Sequence, residues 1–379
     1  MIKPKQVFVL HILLSQFHFS NASKIKVDFF CQELLFDVEV NSVQDISVSN
    51  DLTIQTELAK INSKIFSNFL KQVKGYRNEF NLNDWFTYLL IKGSVETIFS
   101  HNSEDTQTFY SWYFLSELGY RCAINYGAVL ELFVYSEGPA FGLQKYRNYY
   151  RLSDKSVNEK SKVSMSDISR KGRPFSFKLH RLPELDCSEP FQRFYNVYFK
   201  NQKYRFELEI NLNHIRLMEN YPQVNTVDYF NIPLSGGLYN SIIPQLKGTV
   251  KGMNNFDAVR FMLSFVRQNF IYKDDWEYYE SEKPMIAEEA LFYDVNDCED
   301  RSVLFYILVK EVLNLPVVVL DYPNHLNIGV ALNESYGKEI THEGVTFAIC
   351  EPTNPEDNLG IGEMLEKGLP KVIHYYQGK

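Results

Sequence analysis

Residues 296–330 read NDCEDRSVLFYILVKEVLNLPVVVLDYPNHLNIGV, and the fold turns on how this stretch divides. Asn296 or Asp297 can cap a helix, and Asn296 with Glu299 has the spacing of a capping box. Val303, Leu304, Ile307, Leu308, Val312 and Leu315 then follow a helical period up to the break at Pro316. Cys298 is thereby placed in the first turn, where unpaired backbone N–H groups and the positive end of the helix dipole favour a thiolate and can steady an oxyanion. Asp297, Glu299 and Asp300 act against this, because the dipole is worth only about 0.3–1 kcal/mol at exposed sites. A cysteine so placed needs an imidazole partner to serve as a nucleophile.

The chain offers one. PVVVLDY reads as a buried strand ending at Asp321, HLNIGVAL as a strand with Leu326, Ile328 and Val330 inward, and VTFAIC as a strand leading to Glu351. Pro352 stops that last strand. Antiparallel pairing of the last two, through the polar loop NESYGKEITHEG, makes His325 and Glu351 neighbours at one sheet edge. Glu351 can then accept the second N–H of the imidazole and hold its tautomer, with Asp321 as the fallback.

These residues resemble the transglutaminase-like superfamily: a cysteine at a helix start in NDCEDRSVLF, a histidine in YPNHLNIGV, and an acid at a strand end in CEPT. More narrowly the chain is similar to transglutaminase-domain proteins of the Bacteroidetes type, through YYESEKPMIAEEALFYDVNDCED. The resemblance covers mainly residues 236–362, and Glu351 stands where the family has aspartate. It implies an α+β fold with a papain/transglutaminase-like core, a cysteine-bearing helix packed on an antiparallel sheet. It also implies acyl transfer or hydrolysis of a peptide or protein amide through a thioester, without a cofactor. Cys298 would attack, His325 would shuttle the proton and Glu351 would orient His325. The alternative is a non-catalytic exported scaffold that keeps the fold for binding.

The unit occurs twice. QVKG at 72–75, Asn81 and Asp84 recur as QLKG at 245–248, Asn254 and Asp257, all at an offset of 173. SEDTQTFYSWYFLSELGYRCAINY, from Ser103, matches the stretch from Cys298 at an offset of 195, so the second copy carries 22 more residues between helix and motif. Ser103 stands for Cys298 and Leu130 for His325, which makes the first copy degenerate. The division read from the sequence is a signal peptide at 1–22, a β segment at 23–51, a degenerate copy at 52–150, a linker and β-rich insert at 151–235, and a catalytic domain at 236–379. Within these, Ile61, Ile65, Phe69 and Val73 read as one helix, PFSFKLHRL as strand, and Asn201–Gln202 as a hairpin turn.

Lys3 and Lys5, an apolar run to about Phe19, and a small-residue end at Ala22 have the layout of a secretory signal, so the chain is expected to be secreted or periplasmic. No later run is apolar enough for a membrane span. A net charge of −8 argues against nucleic acid as a partner. Five cysteines leave at least one unpaired thiol, and Cys31 reads as strand core. Trp276 and Tyr279, with Tyr278, lie in the extra residues and are candidates to roof a substrate cleft. The histidines, His342 and His374 included, show no metal-ligand spacing, and no metal site is expected.

Overall fold

The computed structural model describes residues 23–38, 44–127, 129–152, 165–166, 171–353, 358–364 and 368–378. The expected signal peptide and most of the polar 151–172 linker lie outside the described residues. The chain opens with a hairpin, β1 (Ser23–Phe29) and β2 (Gln32–Val38), and four helices, α1 (Asp51–Lys60), α2 (Ser63–Glu79), α3 (Asp84–Ile98) and α4 (Glu104–Glu117). Five strands follow: β3 (Cys122–Tyr126), β4 (Leu130–Tyr135), β5 (Lys145–Tyr146), β6 (Tyr149–Arg151) and β7 (Met165–Ser166).

A second series begins with the hairpin β8 (Pro190–Phe199) and β9 (Gln202–Asn211), then α5 (Leu212–Glu219), α6 (Thr226–Tyr229), α7 (Gly236–Val250) and α8 (Asn255–Asn269). The extra residues form β10 (Ile271–Tyr272), α9 (Asp275–Tyr278), α10 (Ala287–Phe292) and β11 (Val295–Asn296). Then come α11 (Cys298–Leu308), a π turn at Val309–Leu313, β12 (Val317–Tyr322), β13 (His325–Ala331), β14 (Glu339–His342), β15 (Val345–Cys350) and β16 (Lys371–Tyr376).

The architecture is mixed α+β, with two five-stranded antiparallel sheets of the same order. One runs β5-β6-β4-β3-β7 and the other β14-β15-β13-β12-β16, so each strand of the first has a counterpart in the second. β3 and β4 start at Cys122 and Leu130, and β12 and β13 at Val317 and His325, which keeps the offset of 195. Ser103 caps α4 through Thr106 N, whereas Asp297 caps α11, so the helix starts differ by one residue. The hairpin β8–β9 packs on α7 and α8 as β1–β2 packs on α2 and α3. The β-rich segment expected as an insert thus takes, in the second half, the place that the N-terminal β segment takes in the first.

Other readings change. The single helix expected through Ile61 breaks there, because Asn62 takes the Lys64 N–H (3.2 Å) and starts α2 afresh. PFSFKLHRL forms no strand; Phe175, Phe177 and Leu179 are buried from an irregular segment. The β8–β9 turn sits at Lys200 and Asn201, whose φ values of 49° and 64° suit a two-residue hairpin. Cys31 is an exposed turn residue, not strand core, since Phe30 turns the chain with φ 53°, and it is bonded to Cys187. That disulfide closes a loop of sequence separation 156 and ties the first hairpin to the start of the second half.

One apolar core runs through both halves, and a smaller cluster (Val318, Leu320, Tyr322, Phe347, Ile349) lies on the second sheet. Gly329 makes room for it: a Cβ there would sit 2.7 Å from Val318 Cγ2 and 3.0 Å from Phe347 Cβ. Gly329→Ala is therefore expected to destabilise by about 1–3 kcal/mol, as overpacking does. Gly75, inside α2 with nothing within 4 Å, should behave oppositely, Gly75→Ala gaining about 0.5–1 kcal/mol. Denaturant titration of both variants against the parent checks the pair; equal effects would refute the packing argument.

Candidate functional site

Asp297 and Asp300 build the capping box at the start of α11. Asp297 Oδ1 accepts from Glu299 N (3.0 Å) and Asp300 N (3.3 Å), and Asp300 Oδ2 accepts from Asp297 N (3.3 Å). The cap is Asp297, not Asn296, whose side chain turns inward to Ala290 O (3.1 Å). Cys298 is the first helical residue and is partly buried.

His325 opens β13 and pairs with Glu351, as the register predicted. Its Nε2 lies 3.0 Å from Oε1 and 2.9 Å from Oε2 of Glu351, whose side chain is wholly buried. Asp321, the fallback, is exposed. Burial alone would push the Glu351 carboxyl up, but His325 and Thr353 more than offset it and hold it below the ordinary carboxylate range. Arg267, from α8 and 4% exposed, clamps the Glu351 carbonyl with Nε (2.9 Å) and Nη2 (2.6 Å) and reaches Leu359 O with Nη1 (2.8 Å).

The β13–β15 ladder ends at Ile328 and Cys350, so the backbone of Leu326 has no strand partner on that side. Helix α11 takes it over. Ser302 Oγ donates to Leu326 O (3.2 Å), and the Leu326 backbone lies near enough to the Cys298 sulfur to favour its ionised form slightly. The thiol therefore lies against the residue that follows His325. Its own hydrogen bond goes to Glu299 Oε2 (3.0 Å). Burial, then Glu299 and Asp297, push the Cys298 thiol well above its ordinary value, while the Leu326 amide works the other way. In this arrangement burial and the acids together disfavour the thiolate.

The same acids strain one another. Burial, with Asp300 and Glu299 next, pushes Asp297 far above the ordinary carboxylate range, and burial pushes Asp275 up to about 6. Trp276 is 62% exposed and donates its Nε1 to Glu282 (2.7 Å). Tyr279 is partly buried, its hydroxyl 3.4 Å from Val295 O. The aromatic that feels the thiol is Tyr272, raised to about 12 by burial first and by Cys298 and Asp297 next.

Tyr272, Arg267 and Thr353 were not singled out from the sequence. Arg267 looked like an ordinary base in a last helical turn, and Tyr272 lies just ahead of the aromatic cluster that drew attention. Thr353 could have been found: CEPT puts its hydroxyl two residues past the carboxylate, where it bonds Glu351 and lies 3.5 Å from His325 Nε2. The first half carries none of this chemistry. Its β4–β6 register pairs Phe133 with Arg151, which sets Leu152 at the Glu351 position, alongside Ser103 and Leu130.

No protein-family model matches the chain, and no curated protein or solved structure is significantly similar to it.

Glu289 of α10 gives a pH test of the buried acids. It is 3% exposed, its partner Lys283 is 3.5 Å away, and burial raises its carboxyl from 4.5 to about 7. A raised folded pKa gives stability that is complete below the unfolded value and is lost as pH rises through the folded one. Glu289→Gln should therefore flatten the fall in stability between about pH 5 and about pH 8 by up to about 3 kcal/mol, seen as a flatter profile of melting temperature against pH. Parallel thermal profiles for parent and variant would show that Glu289 is not the titrating group.

Proposed function

We propose that the chain is an exported, transglutaminase-like thiol enzyme with a papain-like core, acting on a peptide or protein amide. The observation that carries this is the His325–Glu351 pair, a buried carboxylate on an imidazole, set one residue from the strand amide that meets the Cys298 thiol. Glu351 bonds Nε2 and so makes Nδ1 the nitrogen that takes the thiol proton. The Cys298 sulfur then attacks the amide carbon, and the oxyanion forms at the positive end of α11, where the Glu299 and Asp300 amides are held by the Asp297 cap. Collapse breaks the C–N bond, His325 returns the proton to the leaving amine, and a thioester remains on Cys298. An amine or water resolves it, with His325 accepting the proton of the incoming group.

Several further features support the reading. The two halves share a scaffold, yet thiol, imidazole and carboxylate occur together only in the second. Disulfides persist in oxidising compartments, and the Cys31–Cys187 bond fits export. Among the described residues no helix is long and apolar enough to cross a membrane. One observation favours a non-catalytic scaffold instead: the thiol donates to Glu299 and its ionisation is disfavoured.

Cys122 and Cys350 are buried and Cys31 is bonded to Cys187, so Cys298 is the free thiol that a reagent should reach first. Glu299→Gln removes the adjacent acceptor charge and should speed iodoacetamide alkylation at neutral pH roughly tenfold for each pKa unit recovered. If Cys298 labels only after denaturation in both parent and variant, the enzyme reading fails. With a labelled primary amine and a glutamine-containing peptide, Cys298→Ala should abolish turnover and Glu351→Gln should lower it by about 10²–10⁴. Peptide cleavage without amine incorporation identifies a hydrolase.

A further inference from the structure

The hairpin β8–β9 keeps one face for the core and leaves the other open. Tyr195, Val197, Phe199, Phe206, Leu208 and Ile210 are buried on the inner face, while Phe194 is 44% and Tyr198 62% exposed on the outer one. Side chains from the helices occupy both edges of the hairpin. Gln268 of α8 accepts from Tyr198 N (2.8 Å) and donates to Tyr198 O (3.1 Å), and Gln245 of α7 does the same for Glu207 (3.3 Å and 2.6 Å). An added strand would have to displace these amides, so the surface on offer to a partner is the outer face.

That face gathers rings and cations toward the turn. The register sets Tyr198 against Lys203 and Asn196 against Arg205. Lys203 Nζ stands 5.5 Å from the Tyr198 ring and the Arg205 guanidinium 4.5 Å from the Phe194 ring. Arg260 of α8 joins them at the turn, 5.8 Å from the Phe199 ring. Lys203, Arg205 and Arg260 are in no ion pair among the described residues, although the chain has 47 acidic against 39 basic side chains. Lys200, in the turn itself, pairs with Asp257 (2.7 Å), and Glu207 and Glu209 lie farther from the turn along β9. The scaffold does not require such a face. On the equivalent hairpin β1–β2 the exposed positions hold Lys24, Lys26, Asp28 and Glu33, and Lys26 pairs across the strands with Glu33 (2.9 Å). Exposed rings flanked by unpaired charge of one sign mark a surface with an anionic partner.

We propose that the turn end of this outer face is a peripheral docking surface for an anionic lipid bilayer. Phe194 and Tyr198 enter the headgroup region, where aromatic rings are favoured, and Lys203, Arg205 and Arg260 face the anionic headgroups. The size of the patch separates this partner from an acidic protein. Five side chains around a hairpin turn fall well short of the roughly 20–30 residues a side of a stable protein interface, whereas a bilayer can be held by a few rings and cations together. Cys298 takes no part, so the surface is independent of the enzyme reading.

The test is cosedimentation of the purified chain with vesicles of phosphatidylcholine alone and of phosphatidylcholine mixed with phosphatidylglycerol. Stronger binding to the mixed vesicles is expected, and the difference should shrink as salt rises, because salt screens the attraction. Lys203→Gln combined with Arg205→Gln should weaken partition into mixed vesicles about thirtyfold, at about fivefold for each cation. Tyr198→Ser should weaken it on its own. These side chains are exposed, so the variants should melt with the parent, and Lys26→Gln on the first hairpin should bind as the parent does. Cys298→Ser should also bind unchanged, which leaves the surface standing if the enzyme reading fails. Absence of binding to the mixed vesicles overturns the proposal, and so does equal binding by the folded double variant, since another segment then holds the lipid. Retention on immobilised heparin without vesicle binding at the same salt overturns it too, because the face then takes a soluble polyanion.

Discussion

A carboxylate removed from water must be paired, and the second half is arranged around one that is. Glu351 is wholly buried, and leaving such a charge uncompensated costs several kcal/mol. His325 and Thr353 satisfy the side chain while Arg267 holds its carbonyl. With Glu351 turned to these partners and Pro352 next, the ladder stops at Cys350. Leu326 on the facing strand is thereby left without ladder partners on that side, and an unpaired buried backbone group is itself costly. Helix α11 resolves this through Ser302 and Cys298, so the cysteine reaches this corner as a consequence of satisfying the strand.

The first half shows that the scaffold does not depend on that chemistry. There Leu152 stands for Glu351 and Leu130 for His325, and Tyr88 OH ties the Leu152 carbonyl (2.5 Å) from α3, as Arg267 ties Glu351 from α8. The helix start still supports the strand, but by other atoms: Asp105 Oδ1 accepts from Leu130 N (2.9 Å). Its counterpart Asp300 is instead turned to Met285 N among the residues that only the second half carries. Apolar side chains fill this corner in one half and polar ones in the other, on sheets of one strand order. Retaining a buried carboxylate and imidazole where leucines suffice is a departure from local stability.

What the sequence made legible follows physical signal strength. The strands β12, β13 and β15 are short apolar runs, and the register they imply brings His325 to Glu351. The repeat offset placed the starts of β4 and β13 on the same position. The edge strands β5, β7, β14 and β16 were not seen, because two are only two residues long and the others, such as EITH, carry polar or charged residues at positions with little burial. Asn62 was passed over because the apolar spacing continues across it, and one side-chain cap was enough to break the helix. Arg267 was invisible for a different reason: nothing local distinguishes a buried guanidinium that clamps a distant carbonyl from a solvated one.

The acids beside Cys298 were the weak point of the sequence reading, and the structure sharpens where the difficulty lies. A helix dipole of about 0.3–1 kcal/mol cannot ionise a buried thiol that donates to a carboxylate, so the dipole argument alone gives no nucleophile. Burial is the largest obstacle, and the nearest charge is Glu299, whose Oε2 sits 3.0 Å from the sulfur. Glu299 is only partly buried and lies in the first turn, so its carboxylate can rotate toward water without moving the backbone. Asp297 cannot do so, since its Oδ1 is the helix cap. Of the two charges beside the thiol, one is therefore removable and one fixed, and burial, which opposes ionisation most, remains in either case.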